Sequence, residues 1–210
     1  MSAPLGSEDA TRLESCVAGG GVAILPTDTV YGVCCDPEDD VAAARLYGLK
    51  GRPAERPAAV MFFSIEPALD ALGAIEPALE LALRALLPGP VTVLLANRAE
   101  RFGAACGADP ATLGLRVPRL PPALAALAQV DGGVLQTSAN LTGGPDPRAV
   151  GEIPATLRAG VDLVLDSGDL PGTPSTVVDL RDYALSRVWR ILREGALSRT
   201  SLEQLLQSLA

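Results

Sequence analysis

The feature that most constrains this chain is the shortness of its apolar runs. Val22-Ala23-Ile24-Leu25 and the runs at 58–63, 91–96, 113–117, 134–137, 163–165, 176–180 and 188–192 have the length of buried strands, far below a membrane span. Between them lie segments with helical patterning at 8–18, 39–48, 76–87 and 123–129, and an amphipathic one at 201–209. The stretch DDVAAARLYG has acidic residues at its start and a glycine near its end, a polarity that predicts a helix delivering Leu49-Lys50-Gly51-Arg52 to a loop. Gly/Pro-rich segments at 142–151 and 167–175 read as loops. Alternation of strand and helix predicts an α/β or α+β fold. Its sheet must be mixed, because some neighbouring strands lack the crossover that parallel pairing needs.

Composition narrows the chemistry. At 210 residues and 48% hydrophobic content, one compact domain covering residues 1–210 is expected. The net charge of −8 opposes tight, nonspecific binding of nucleic acid, which needs many phosphates neutralised together. The chain has no histidine, so imidazole-based triads, proton shuttles and metal ligands are excluded. Of its 17 basic residues only Lys50 is a lysine. A site that needs a compact ammonium does not accept the planar guanidinium, so Lys50 is a candidate for a specific role, with chance survival as the plain alternative. Cys16, Cys34, Cys35 and Cys106 show no C-x-x-C spacing and read as reduced, mostly buried residues. The N-terminus has no basic-then-apolar leader, and a cytosolic protein is expected.

Four constellations carry polar chemistry. Pro26-Thr27-Asp28-Thr29 follows an apolar strand, where α/β proteins build ligand sites; it reads equally as a hydroxyl-capped loop. Lys50-Gly51-Arg52-Pro53 with Arg56 gathers three cations suited to a polyphosphate, or a solvated basic turn. Thr137-Ser138-Ala139-Asn140 ends another strand, either for a nucleotide phosphate or ribose or to cap the next element. Arg116, Ser175-Thr176 and Arg193 form the fourth set and are ordinary surface residues when taken one at a time.

In order, PTDTVYG, LKGRP, LPGPVTVLL, GLRVP, TSANLTGG, STVVDL and ILREG resemble the YrdC-type threonylcarbamoyl-AMP synthase family from about residue 10 to 200. The resemblance implies a twisted mixed sheet flanked by helices, with a concave basic cavity for ATP, L-threonine and bicarbonate. It implies that Lys50 and Arg52 are catalytic, stabilising charge on the phosphate and the leaving group. Lys50, Arg52, Ser138 and Asn140 would bind nucleotide, joined by Arg56, Thr112, Arg148 and Arg193. Thr29, Arg116 and Ser175 would hold threonine. Met61 stands where the family usually has a histidine near threonine, which bears on amino-acid selectivity.

The implied reaction joins the threonine amine to bicarbonate; the carbamate oxygen then attacks the α-phosphate of ATP and expels pyrophosphate. Mg²⁺ is expected with ATP rather than in a protein cage. The implied partner is a downstream threonylcarbamoyl transferase complex acting on tRNA. Tight direct tRNA binding and membrane association are not expected. The chain is expected to end soon after the catalytic domain, without the extra C-terminal domain of longer relatives. Two alternatives stand beside this reading: a paralogue that acts on another carbamate or amino acid, and an RNA-binding module on the same surface, which the scarcity of aromatics disfavours.

Overall fold

The structure, a computed structural model, describes residues 3–209. Helix α1 (Ser7–Ala18) leads into β1 (Ala23–Leu25), and the chain reverses through Pro26–Tyr31 so that β2 (Gly32–Cys35) pairs antiparallel with β1. Asp39 caps α2 (Asp40–Lys50), its carboxylate accepting from the N–H groups of Val41 and Ala42. Further along lie β3 (Ala59–Phe62), α3 (Ile65–Leu72), α4 (Pro77–Leu86), β4 (Val91–Ala96), a short α5 (Gly103–Cys106) and β5 (Thr112–Arg116). A 3-10 helix at Pro122–Gln129 precedes β6 (Gly133–Ser138). After α6 (Ala155–Gly160) come β7 (Leu163–Val164), β8 (Thr176–Asp179), α7 (Tyr183–Ser186), β9 (Arg190–Arg193) and α8 (Arg199–Gln207).

The nine strands of the described residues join one sheet in the order β7-β1-β2-β6-β3-β5-β4-β8-β9. Pairs β1/β7, β3/β5 and β4/β8 are parallel and the other five antiparallel, the mixed sheet expected from the missing crossovers. No helix among the described residues is long and apolar enough to cross a membrane. All four cysteines are free, and only Cys16 is incompletely buried.

The two faces of the sheet are covered unequally, and this creates the site. Val60, Phe62, Val93, Leu115, Leu135 and Val178 point into the larger core, which α2 and α4 help to seal with Leu46, Leu83 and Leu86. On the opposite face, Leu13 of α1 with Leu124 and Leu127 of the 3-10 helix cover only Leu25, Met61, Phe63, Val134 and their neighbours. The rest of that face, from Gln136 across Ala59 to Thr92 and Val177, borders an open cleft.

Several expectations need correction. Gly48 does not end α2; the helix continues through Lys50 and closes at Gly51, which takes the left-handed conformation (φ 57°) that glycine adopts at little cost. Lys50 is thus the last residue of a helix rather than part of a loop. The segment 123–129 winds as a 3-10 helix, and the last sheet strand begins at Arg190, not 188. The strand β2 and the helices α3 and α6 were not expected; α3 is as amphipathic as α4 but only eight residues long, and β2 is four residues long and buried on both faces.

Candidate active site

The open cleft encloses about 1000 Å³, solvent mouth included, and its lining contains Arg52, Arg56, Arg116, Ser138, Ser175 and Arg193. Six of the residues singled out from sequence, scattered over more than 140 positions, therefore share one cavity of a size that suits a sizeable ligand. A narrower apolar pocket beside Leu79, Leu95 and Leu113 contains none of them.

The turn after β1 holds Arg116 in place. Arg116 Nη2 donates to Asp28 Oδ1 (2.6 Å) and Thr29 Oγ1 (2.6 Å) and lies 3.1 Å from Thr27 Oγ1. Both members of the Arg116–Asp28 ion pair are almost wholly buried, and Asp28 Oδ2 accepts the backbone N–H of Arg119. Thr27 Oγ1 in turn donates to Val30 O (2.7 Å), which tightens the turn. Arg116 Nε is buried without a hydrogen-bond partner, as is Arg52 Nε. Burial pulls the Arg116 guanidinium below its ordinary value, Asp28 opposes this, and Arg193 adds to it. Guanidinium groups gathered on one cleft suit an anion.

At the other side, Arg193 Nη2 donates to Ser175 O (2.8 Å) and contacts Ser175 Oγ at 3.3 Å, while Ser175 Oγ shares a 2.9 Å hydrogen bond with Thr92 Oγ1. Arg52 donates to Pro57 O, folding the 52–57 loop back on itself, and Arg56 is exposed at the rim. Burial lowers the Arg52 guanidinium, with a smaller push from Arg56.

Lys50 stands behind the cleft wall. Its side chain is fully buried, and Nζ donates to Ser138 O, Asn140 O (2.7 Å) and Asn140 Oδ1 (3.0 Å). Three acceptors match the three N–H donors of an ammonium and fix the Ser138–Asn140 turn, where Ser138 Oγ also donates to Asn140 Oδ1 (2.8 Å). Asn140 Nδ2 carries the linkage on to Gly144 O (2.6 Å). The lysine thus braces the turn instead of projecting into the cavity, and its place at the end of α2 suits a cation.

Burial, and after it the Arg52 guanidinium, lower Lys50 from 10.5 to about 7, with Asp146 opposing. Because the folded value is depressed, the unfolded chain holds a proton that the folded chain releases between about pH 7 and 10.5; stability from this group rises with pH across that window, and its penalty is complete below it. With one lysine in the chain, a ¹³Cε titration by NMR reads this group alone. The expected midpoint lies clearly below 10.5, and a midpoint at or above that value contradicts the burial.

The remaining predicted residues lie outside the cleft lining. Arg148 pairs with Asp169 (2.8 Å) on the surface. Thr112 Oγ1 donates to Asp109 (2.7 Å) and accepts from Arg181 (3.1 Å). Met61 pairs in register with Arg116 but is fully buried in the smaller apolar cluster. Sequence reasoning assigned no role to Thr92, Gln136 or Asp146, which all line the cleft, nor to Asp28 as the partner of Arg116. Gln136 had one usable signal, a polar residue on a strand whose neighbours are apolar.

The chain matches the Sua5/YciO/YrdC family, described as telomere recombination, over residues 15–195. It is 32% identical over 185 residues to a threonylcarbamoyl-AMP synthase of Xanthomonas euvesicatoria pv. vesicatoria, covering 85% of this chain and 97% of that protein. A threonylcarbamoyl-AMP synthase of Pyrococcus abyssi is 27% identical over 188 residues, 89% of this chain and 54% of the relative, so the chain spans about half the length of that protein. The solved structure of P. abyssi Sua5 complexed with L-threonine superposes with a TM-score of 0.83 at 25% identity, covering 96% of this chain and 58% of that one. Since the matched span runs from α1 through β9 and takes in every residue that lines the cleft, the chain belongs to the Sua5/YciO/YrdC family.

Proposed function

We propose that this chain is an L-threonylcarbamoyladenylate synthase, a nucleotidyltransferase that makes threonylcarbamoyl-AMP and pyrophosphate from L-threonine, bicarbonate and ATP. The observation that carries the reading is the convergence of Arg52, Arg56, Arg116 and Arg193 on one cleft. A dicarboxylated amino acid and a triphosphate are the kind of anionic pair such a wall accommodates. The threonine complex of the Pyrococcus relative supports the same assignment.

The amine of threonine and bicarbonate condense to N-carboxythreonine with loss of water. A carbamate oxygen then forms a bond to the α-phosphorus of ATP as the bond to the β-phosphate oxygen breaks, and pyrophosphate leaves with that electron pair. This chemistry needs no protein nucleophile; it needs two labile reactants held together and charge stabilised as it develops. Arg52 and Arg56 are suited to the phosphates, with Ser138 on the turn braced by Lys50. Arg116 and Ser175 are suited to the amino-acid side, and Arg193, expected at the nucleotide, donates to Ser175 O. The described residues contain no group of three or more acidic or thiol side chains arranged for a metal. Magnesium would enter on the nucleotide phosphates, since it tends to keep its waters and use substrate oxygens, and Asp146 is a carboxylate of the cleft lining. The product would be consumed by a transferase that modifies tRNA.

Incubation with ATP, Mg²⁺ and bicarbonate is expected to release pyrophosphate and yield threonylcarbamoyl-adenylate by mass spectrometry only when L-threonine is added. Release without that product, or release driven better by another amino acid, rejects the assignment in favour of a paralogue. Met61 beside Arg116 is the observation that motivates testing other amino acids.

A further inference from the structure

The cleft is rich in guanidinium donors, and against them one neutral side chain on its floor carries an acceptor with no protein partner among the described residues. Gln136 lies on β6 opposite Cys34 of β2 and Ala59 of β3, on the floor of the cleft. Its side chain is 96% buried by accessible area, at 4% exposure, yet neither amide atom has a hydrogen-bond partner among the described residues, and neither is sealed from the cavity. Neither amide atom is spent on a protein partner, so both are available to a ligand that enters the cavity.

The floor around it is cleared of side chains. Any Cβ at Gly32 would overlap the Gln136 amide nitrogen, and Gly114 approaches so closely that its added Cβ would lie 3.0 Å from Ala58 O. Small residues on the neighbouring strands thus make room for the amide over Gly32, at the lining of the cleft. Most other polar side chains of the lining are engaged, although Thr137 has no side-chain partner among the described residues and Asp146 keeps one oxygen free. Ser175 is bound to Thr92 and Arg193, Ser138 donates to Asn140, and Asp146 accepts from Asn140 at 3.4 Å. The guanidinium groups are donors only and cannot receive an N–H.

Resting on the synthase reading, we propose that Gln136 is a specificity-determining residue whose amide carbonyl accepts the N–H of the amino-acid substrate, first as amine and then as carbamate. The arginines recognise what is anionic in the substrates, and Gln136 recognises the nitrogen that distinguishes an amino acid from a hydroxy acid. Loss of one hydrogen bond to a buried partner is expected to weaken binding by about tenfold or more.

The test is calorimetry on the full chain, with L-threonine and separately with a magnesium-bound, non-hydrolysable ATP analogue. Gln136→Leu is expected to weaken threonine by about tenfold or more while nucleotide affinity stays within about twofold, and Gln136→Glu, which keeps the acceptor, is expected to bind threonine within about threefold of wild type. Gln136→Ala repeats the measurement without bulk should leucine disturb the floor. Unchanged threonine affinity in the Leu and Ala variants, parallel loss of threonine and nucleotide, or a Glu variant as weak as the Leu variant overturns the assignment to Gln136 alone. Wild-type protein that binds the nucleotide but no threonine overturns the synthase reading and this inference with it.

Discussion

Asp28→Ala is expected to lower the unfolding free energy by about 3–5 kcal/mol and to abolish measurable threonine binding. The size follows from burial. Arg116 and Asp28 keep only 4% and 7% of their side-chain surface accessible, so removal of the carboxylate leaves a guanidinium without its counter-charge in a place where water barely reaches. The Arg119 N–H loses its acceptor at the same time, and only the neutral hydroxyls of Thr29 and Thr27 would remain within hydrogen-bond distance of Nη2. A surface pair such as Arg148–Asp169, with both partners more than half exposed, is expected to contribute at most about 1 kcal/mol. Denaturant unfolding compares the two directly. The double variant Asp28→Ala, Arg116→Met separates stability from binding: with both charges gone the stability should recover in part, since an apolar replacement of a buried pair is often neutral, while threonine affinity should stay lost. A single-variant cost below about 1 kcal/mol would mean that water reaches this pair and that the turn is not the rigid frame described above.

That turn also marks how far the sequence could be read. The motif PTDT placed short polar side chains at a strand end, but nothing in four consecutive residues says which distant cation they hold. Arg116 lies 88 positions away from Asp28, and the pairing depends on the order β6-β3-β5, which brings β5 beside β3 without any sequence adjacency. The strands that were legible are those with apolar runs between turn residues, such as Val91–Ala96, found with the boundaries expected. Strand β2 escaped because a four-residue segment buried on both faces has no alternation to detect.

The same limit explains which candidate residues came together. Arg116, Ser138 and Ser175 meet in the cleft because they lie on the same uncovered face of the sheet, although β5 and β6 run in opposite directions and their ends lie toward opposite edges. Arg148 and Thr112 rest on the family resemblance alone, and their hydrogen bonds to Asp169, Asp109 and Arg181 engage them elsewhere. Gln136 is the reverse case. It belongs to no motif, and only the strand register shows that its neighbours on both sides are small.

Lys50→Met should lower stability by about 3 kcal/mol or more and reduce adenylate formation at least about a hundredfold. Methionine fills most of the same volume but cannot donate, so Ser138 O, Asn140 O and Asn140 Oδ1 lose their common partner inside the protein. The turn they belong to is then free to shift, and displacement of a substrate-holding group by about 1 Å is enough for a loss of that order. Lys50→Arg keeps the charge but should fail almost as badly. A guanidinium spreads its donors over a plane and cannot point three N–H groups from one nitrogen at oxygens gathered around a single Nζ. Because the lysine acts through Ser138 and Asn140, affinity for a non-hydrolysable ATP analogue should fall by no more than about tenfold in the Met variant, much less than turnover. Equal losses in nucleotide affinity and turnover would instead make Lys50 a direct phosphate ligand that leaves its three oxygens when ATP arrives. Full activity in the Arg variant would remove the physical reason why this chain keeps one lysine among its arginines.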